Sequence, residues 1–180
     1  MNMRRPFGFS FVEVLLYVLF IGGMLVVFAG FVIDTLDDRT RGVAALEVQQ
    51  NSRLATERML LEIRAAKSIR ATSSTFDANL ALPINAGKVL SLEMASSTLN
   101  PTEFDVAGNI LRIRQGATST FTPLTSNEAQ VTNLTFRNLS DGGSRHVGLT
   151  LTVEFINPGG RATVYAASTT IRTSVELRNR

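Results

Sequence analysis

A single carboxylate interrupts the longest apolar run in this chain. From Phe9 to Ile33 (FSFVEVLLYVLFIGGMLVVFAGFVI) there are 25 residues with one formal charge, Glu13. As a helix rising about 1.5 Å per residue the run spans roughly 37 Å, more than the roughly 30 Å of a bilayer's hydrocarbon core. Arg4 and Arg5 precede it, and Asp34, Asp37 and Asp38 follow it. That charge asymmetry predicts residues 1–8 in the cytoplasm and everything after Ile33 outside.

Three readings of the segment compete. A secretory signal peptide has a shorter apolar core, about 7–15 residues, and a small-residue cleavage site. Val27-Phe28-Ala29 resembles such a site, but the run is too long and holds a carboxylate. A plain signal anchor, leaving an unprocessed single-pass protein with an extracytoplasmic binding domain, explains the length and the flanks but not Glu13. A buried-span carboxylate costs up to about 3 kcal/mol, less near the interface, and calls for a named partner. No Lys or Arg lies between Val14 and Ile33. A cut between Gly8 and Phe9, however, creates an α-amino group four residues before Glu13, on the same helical face. At about 4 Å and an effective dielectric of about 20, that attraction is about 4 kcal/mol before desolvation.

Arg4-Arg5, then Gly8-Phe9-Ser10-Phe11-Val12-Glu13, then the unbroken apolar run, closely resembles the prepilin cleavage and methylation motif. That family covers type IV pilins and the pseudopilins of type II secretion and competence systems. The resemblance implies that a prepilin peptidase cuts after Gly8 and N-methylates Phe9, and that Glu13 sets the register of the subunit in a filament. It implies other pilin or pseudopilin subunits and an inner-membrane assembly platform as partners. Localisation would be the bacterial inner membrane, then an extracytoplasmic filament. Phe7, where a basic or small polar residue is common, and Phe11, where Leu is usual, depart from the pattern. The stretch FTPLTSNEAQVTNLTFRNLS and the closing SVELRNR look more loosely similar to type II secretion J-like pseudopilins and minor pilins.

Gly22, Gly23 and Gly30 fall inside the run, where each costs about 1 kcal/mol against Ala in a helix. They suit close helix–helix approach, or local melting of the kind pilins resembling this chain undergo in a filament. Residues 43–69 contain no Pro or Gly and predict an amphipathic continuation. Leu46, Leu54, Leu61, Ala65 and Ile69 fall on one face, expected to pack on the chain's own sheet rather than on another chain. Arg53–Glu57 and Arg58–Glu62 are i,i+4 pairs. The polar stretch Asp34–Gly42 is expected to bend the helix. The expected helix thus runs from about Phe9 to Arg70.

The rest is strand-like. Ala71–Ala86 reads as a loop. Strands are expected at Val89–Ala95, Glu103–Ala107, Ile110–Gln115, Val131–Leu139, Val147–Ile156 and Ala162–Leu177. Gly108-Asn109, Asp141-Gly142-Gly143 and Asn157-Pro158-Gly159-Gly160 mark turns. In Val147–Ile156, the residues Val147, Leu149, Leu151, Val153 and Phe155 alternate onto one face. The expected fold class is α+β: one long N-terminal helix packed on a C-terminal antiparallel β-sheet. Its parts are a cleaved leader (1–8), a transmembrane or filament-core helix (9–33), an amphipathic continuation (34–70) and an extracytoplasmic β-rich domain (71–180).

Catalytic chemistry has little to stand on. Cysteine is absent, which removes disulfides, thiolate nucleophiles and Cys-based metal sites. His146 is the lone His and reads as a surface or edge residue. No Ser/His/Asp, HExxH or P-loop pattern is present, so no enzyme, cofactor or metal is expected. Asp34, Asp37 and Asp38 read as the outer flank of the span, and the triplets at Asn133 and Asn138 as chance matches to a glycosylation signal. The formal charge is +3, and removal of residues 1–8 takes two Arg with it: 18 − 2 = 16 basic against 15 acidic. Scattered, nearly balanced charges do not make a nucleic-acid surface.

Overall fold

The computed structural model describes residues 10–140, 145–156 and 166–177. The leader, Phe9 and the expected turns at 141–143 and 157–160 lie outside them, as do residues 162–165 of the last expected strand. The chain divides into two compact units between Thr40 and Arg41.

The first element is a helix, α1 (Phe11–Ala65). It is helical through Gly22-Gly23, Gly30 and the polar stretch 34–42, where a bend was expected. Thr35 Oγ1 donates to the Phe31 carbonyl and Thr40 Oγ1 to that of Leu36, at 2.8 and 2.9 Å. These hydroxyls share carbonyls of the preceding turn, a back-bonding that the helix accommodates without a break.

The helix stops at Ala65, short of the expected Arg70. Its last backbone bond is a tight turn, Ala66 N to Ile63 O. Lys67 N then donates to Glu93 O and Arg70 N to Ser91 O, so 68–69 join a sheet. Among the described residues the strands are β1 (Ser68–Ile69), β2 (Leu90–Glu93), β3 (Thr102–Ala107), β4 (Ile110–Gln115), β5 (Thr122–Pro123), β6 (Ala129–Asn138), β7 (His146–Phe155) and β8 (Ser168–Glu176). All pairings are antiparallel, and the strands divide between two sheets, β1-β2-β3-β4-β5 and β6-β7-β8. The architecture is α+β, the second half of one long helix packing on antiparallel strands.

Local chemistry explains the strands. Gly108 and Asn109 both take positive φ, 59° and 64°, as a two-residue hairpin with a primed turn requires. On β3–β4, Phe104 pairs with Ile113 inward, while Glu103 pairs with Arg114 and Asp105 with Arg112 outward. The Phe121 ring lies 4.8 and 4.7 Å from the Arg112 and Arg114 guanidinium carbons. β6 buries Ala129 and Val131, then Leu134 and Phe136, a change of parity that plain alternation cannot give. A register shift between Val131 and Asn133 supplies the extra residue and returns both pairs to one face. β7 alternates as expected, burying Val147, Leu149, Leu151 and Val153.

The face of α1 that meets the strands is not the expected one. Leu46, Leu54 and Leu61 are 67, 56 and 58 % exposed, and Ala65 is exposed too. The buried line is Ala44, Val48, Asn51, Ser52, Ala55, Thr56, Met59, Glu62 and Ile63. Most of these are small or polar, and small side chains let the helix axis lie close to the strands. Of the polar ones, Asn51, Ser52 and Glu62 are bonded where they are buried, while the Thr56 hydroxyl meets no hydrogen-bond partner among the described residues. Ser52 Oγ donates to Val48 O at 2.7 Å. Asn51 Oδ1 accepts the Ser126 N–H at 2.8 Å and its amide donates to Glu47. Glu62 takes Gln115 Nε2 at 3.0 Å and Arg58 at 2.7 Å. One core joins Val48, Ala55, Met59 and Ile63 to the inner faces of both sheets, centred on residues such as Phe104, Leu111, Leu134 and Phe136.

Candidate functional site: the N-terminal segment of α1

The described helix opens on Ser10, whose carbonyl accepts Glu13 N at 2.9 Å and Val14 N at 3.2 Å. Glu13 therefore sits in the first turn, where unpaired N–H groups favour a negative charge. Its carboxylate is half-buried and accepts a hydrogen bond from the Tyr17 hydroxyl, Oη to Oε1 3.4 Å, at the long limit for such a bond. Tyr17 is a neutral partner, unlike the cations a carboxylate within a membrane span first calls for. Its signal was available: a phenol four residues on, one helical turn along the same face.

From Val14 to Ile33 the helix carries no formal charge, and its large apolar side chains are exposed along this length. It is long and apolar enough to cross a membrane, and none of its most apolar stretch is covered by the rest of the chain. A Cβ added at Gly22, Gly23 or Gly30 would meet nothing within 4 Å. These glycines are therefore not needed for packing within the chain, and leave shallow places on an otherwise bulky surface. Gly8 and Phe9 lie outside the described residues, so Glu13 is the one expected site residue whose surroundings can be given.

His146 opens β7, where its carbonyl accepts Leu139 N at 2.9 Å. Among the described residues no group of His, Cys, Asp or Glu is placed to hold a metal ion. Asp34, Asp37 and Asp38 are spaced along continuous helix. Asn133 lies within β6 and accepts the Thr135 hydroxyl at 2.8 Å. Asn138 accepts Ser140 N at 3.1 Å.

What remains is a helix with a lipid-compatible surface, one carboxylate a turn from its start, and a second half locked to a β-rich unit. Among protein-family models, curated proteins and solved structures, nothing matches the chain.

Proposed function

We propose that the chain is a type IV pilin-like filament subunit, a minor pilin or pseudopilin, inserted in the inner membrane with its leader in the cytoplasm. A prepilin peptidase removes residues 1–8 and methylates Phe9. The subunit then stacks its apolar helix beside those of its neighbours, on an assembly platform. The observation that carries this reading is the position of Glu13: the sole charge of the run, four residues past a Gly8–Phe9 junction that follows two arginines. Cleavage converts an isolated carboxylate into one that an α-amine can meet, within the chain or between neighbours.

Two structural facts support it. α1 is one uninterrupted helix from the apolar segment into the β-rich unit, so the subunit's globular part hangs on the element that would form a filament core. Val43, Leu54 and Leu61 also stay exposed on α1. Spaced by 11 and 7 residues, they lie within about 20° of one line on the helix. That is a seam for a neighbour's helix.

Mass spectrometry of the amino terminus, on chain purified from cells that contain a prepilin peptidase, tests the reading. A methylated Phe9 terminus is the expected result. An intact 1–8 leader under those conditions overturns it and leaves an unprocessed membrane-anchored domain.

A further inference from the structure

We propose that β8 is a pairing edge through which two copies of this chain join their three-stranded sheets, antiparallel and centred on Ser174. The inference goes beyond the filament reading and does not depend on it.

β8 is nine residues long and, among the described residues, bonds to β7 on one side only. The parity of its backbone follows from the flanking bonds. Phe155 N donates to Ala167 O and Leu177 N to Arg145 O, and the register pairs 169 with 153, 171 with 151, 173 with 149 and 175 with 147. Odd-numbered residues therefore bond inward, to β7. The N–H and C=O groups of Ser168, Thr170, Arg172, Ser174 and Glu176 point outward, and among the described residues they meet no partner. Such an edge is a template for another strand, and proteins usually blunt it.

The other described edges are blunted. β1 and β5 have two residues each, and β5 contains Pro123. The outer side of β6 is taken by Leu80 N to Leu134 O, Asp77 N to Phe136 O and Val131 N to Asn109 O. β8 carries no Pro, Gly or Lys. Strand pairing between copies thus has β8 on both sides, which is an isologous contact with two-fold symmetry.

Charge selects the register. Arg172 and Glu176 are exposed, and neither has an ion-pair partner among the described residues. A pair centred on Arg172 would set two guanidiniums face to face, which is unfavourable. One centred on Thr170 would put Arg172 against Ser168 and leave Glu176 beyond the ladder. Centred on Ser174, each Arg172 faces the other copy's Glu176. Ser174–Leu177 also form one wall of an open groove whose other walls come from Arg64–Lys67 and Glu93–Ala95.

The chain has no cysteine, so single-cysteine variants of the full chain, oxidised mildly in the membrane, read the contact directly. Ser174→Cys is expected to form a disulfide-linked homodimer and Ser168→Cys to stay monomeric. In the Ser174→Cys background, Glu176→Arg should abolish the dimer and Arg172→Glu/Glu176→Arg should restore it. Ser174→Pro, which removes an outward N–H and no bond to β7, should abolish native dimerisation in detergent while leaving the circular dichroism unchanged. No excess of linkage at 174 over 168 overturns the proposal. So does strongest self-linkage at Arg172→Cys, or linkage only to a protein of another size.

Discussion

The Tyr17 hydroxyl reaches the Glu13 carboxylate across one turn of α1, inside a stretch that carries no other charge. The contact gives the carboxylate a neutral donor before any α-amine is available, and keeps it on the Tyr17 side of the helix. On the filament reading, Glu13→Ala leaves membrane insertion and leader cleavage intact, since neither requires the carboxylate. It should lower the amount of subunit in sheared filaments at least about tenfold, the factor that corresponds to roughly 1.4 kcal/mol. Tyr17→Phe, which keeps the ring and removes the donor, should cause a smaller loss. Immunoblots of filament and membrane fractions measure both. Normal incorporation of Glu13→Ala would remove the role assigned to that carboxylate.

The face that α1 turns to the strands can be read from two neighbouring residues, Leu54 and Ala55. Leu54 is exposed, whereas Ala55 is 1 % exposed. Leu54→Ala is therefore expected to change unfolding stability by no more than about 0.5 kcal/mol. Ala55→Leu forces extra methylenes into a filled contact and should cost about 1–3 kcal/mol. Denaturant unfolding of the two variants in detergent decides the matter, and the reverse order would put the leucine face back on the strands.

Hydrophobic periodicity pointed the wrong way at that helix for a physical reason. A period argument gives weight to the largest apolar residues, and here Leu46, Leu54 and Leu61 are left for solvent or a partner. The strand-facing line instead sets Val48, Met59 and Ile63 among Ala, Ser, Thr, Asn and Glu, and the small and polar residues that allow close approach dilute its hydropathy. The strands were more legible. β4 has the bounds its alternation implies and β7 lies one residue earlier than expected, His146–Phe155 for Val147–Ile156, with both turning the expected residues inward, because a half-buried strand must write its two faces into alternate residues. β6 was half legible, since its bulge shifts the parity between Val131 and Leu134. β1 and β5, two residues each, exist only through neighbours and leave no local pattern. In the site, the carboxylate and the apolar surface around it were plain from residue types alone, while Tyr17 was hidden by attention to charge.

Asn51 ties the helix to the strands through a loop. Its Oδ1 accepts Ser126 N at 2.8 Å, and the neighbouring Glu47 Oε1 accepts Ser126 Oγ at 2.9 Å. Asn51→Ala leaves the Ser126 N–H without that acceptor at a half-buried position. A cost of about 1–3 kcal/mol is expected, seen as a lower denaturant midpoint with an unchanged slope. Ser126→Ala should cost less, because it removes only the hydroxyl bond to Glu47 and keeps the backbone donor satisfied.

Acid stability provides a further check, at the pair formed by Ser68 and Glu93 where β1 meets β2. Ser68 Oγ donates to Glu93 Oε2 at 2.5 Å. This bond holds the Glu93 carboxyl below the ordinary glutamate value against the opposing effect of desolvation, with lesser help from the charges of Lys67 and Arg70. A lowered folded-state value means that the unfolded chain binds the proton first. The stabilisation is thus complete above the unfolded value and is lost as pH falls through the folded one. Ser68→Ala should raise the Glu93 value towards the ordinary range, measured by carbon-13 NMR of the carboxyl. The stability difference between wild type and Ser68→Ala should be steady near neutral pH and shrink as Glu93 is protonated in the folded state. A gap that stays constant through that acid range would mean that the hydroxyl does not favour the charged carboxylate.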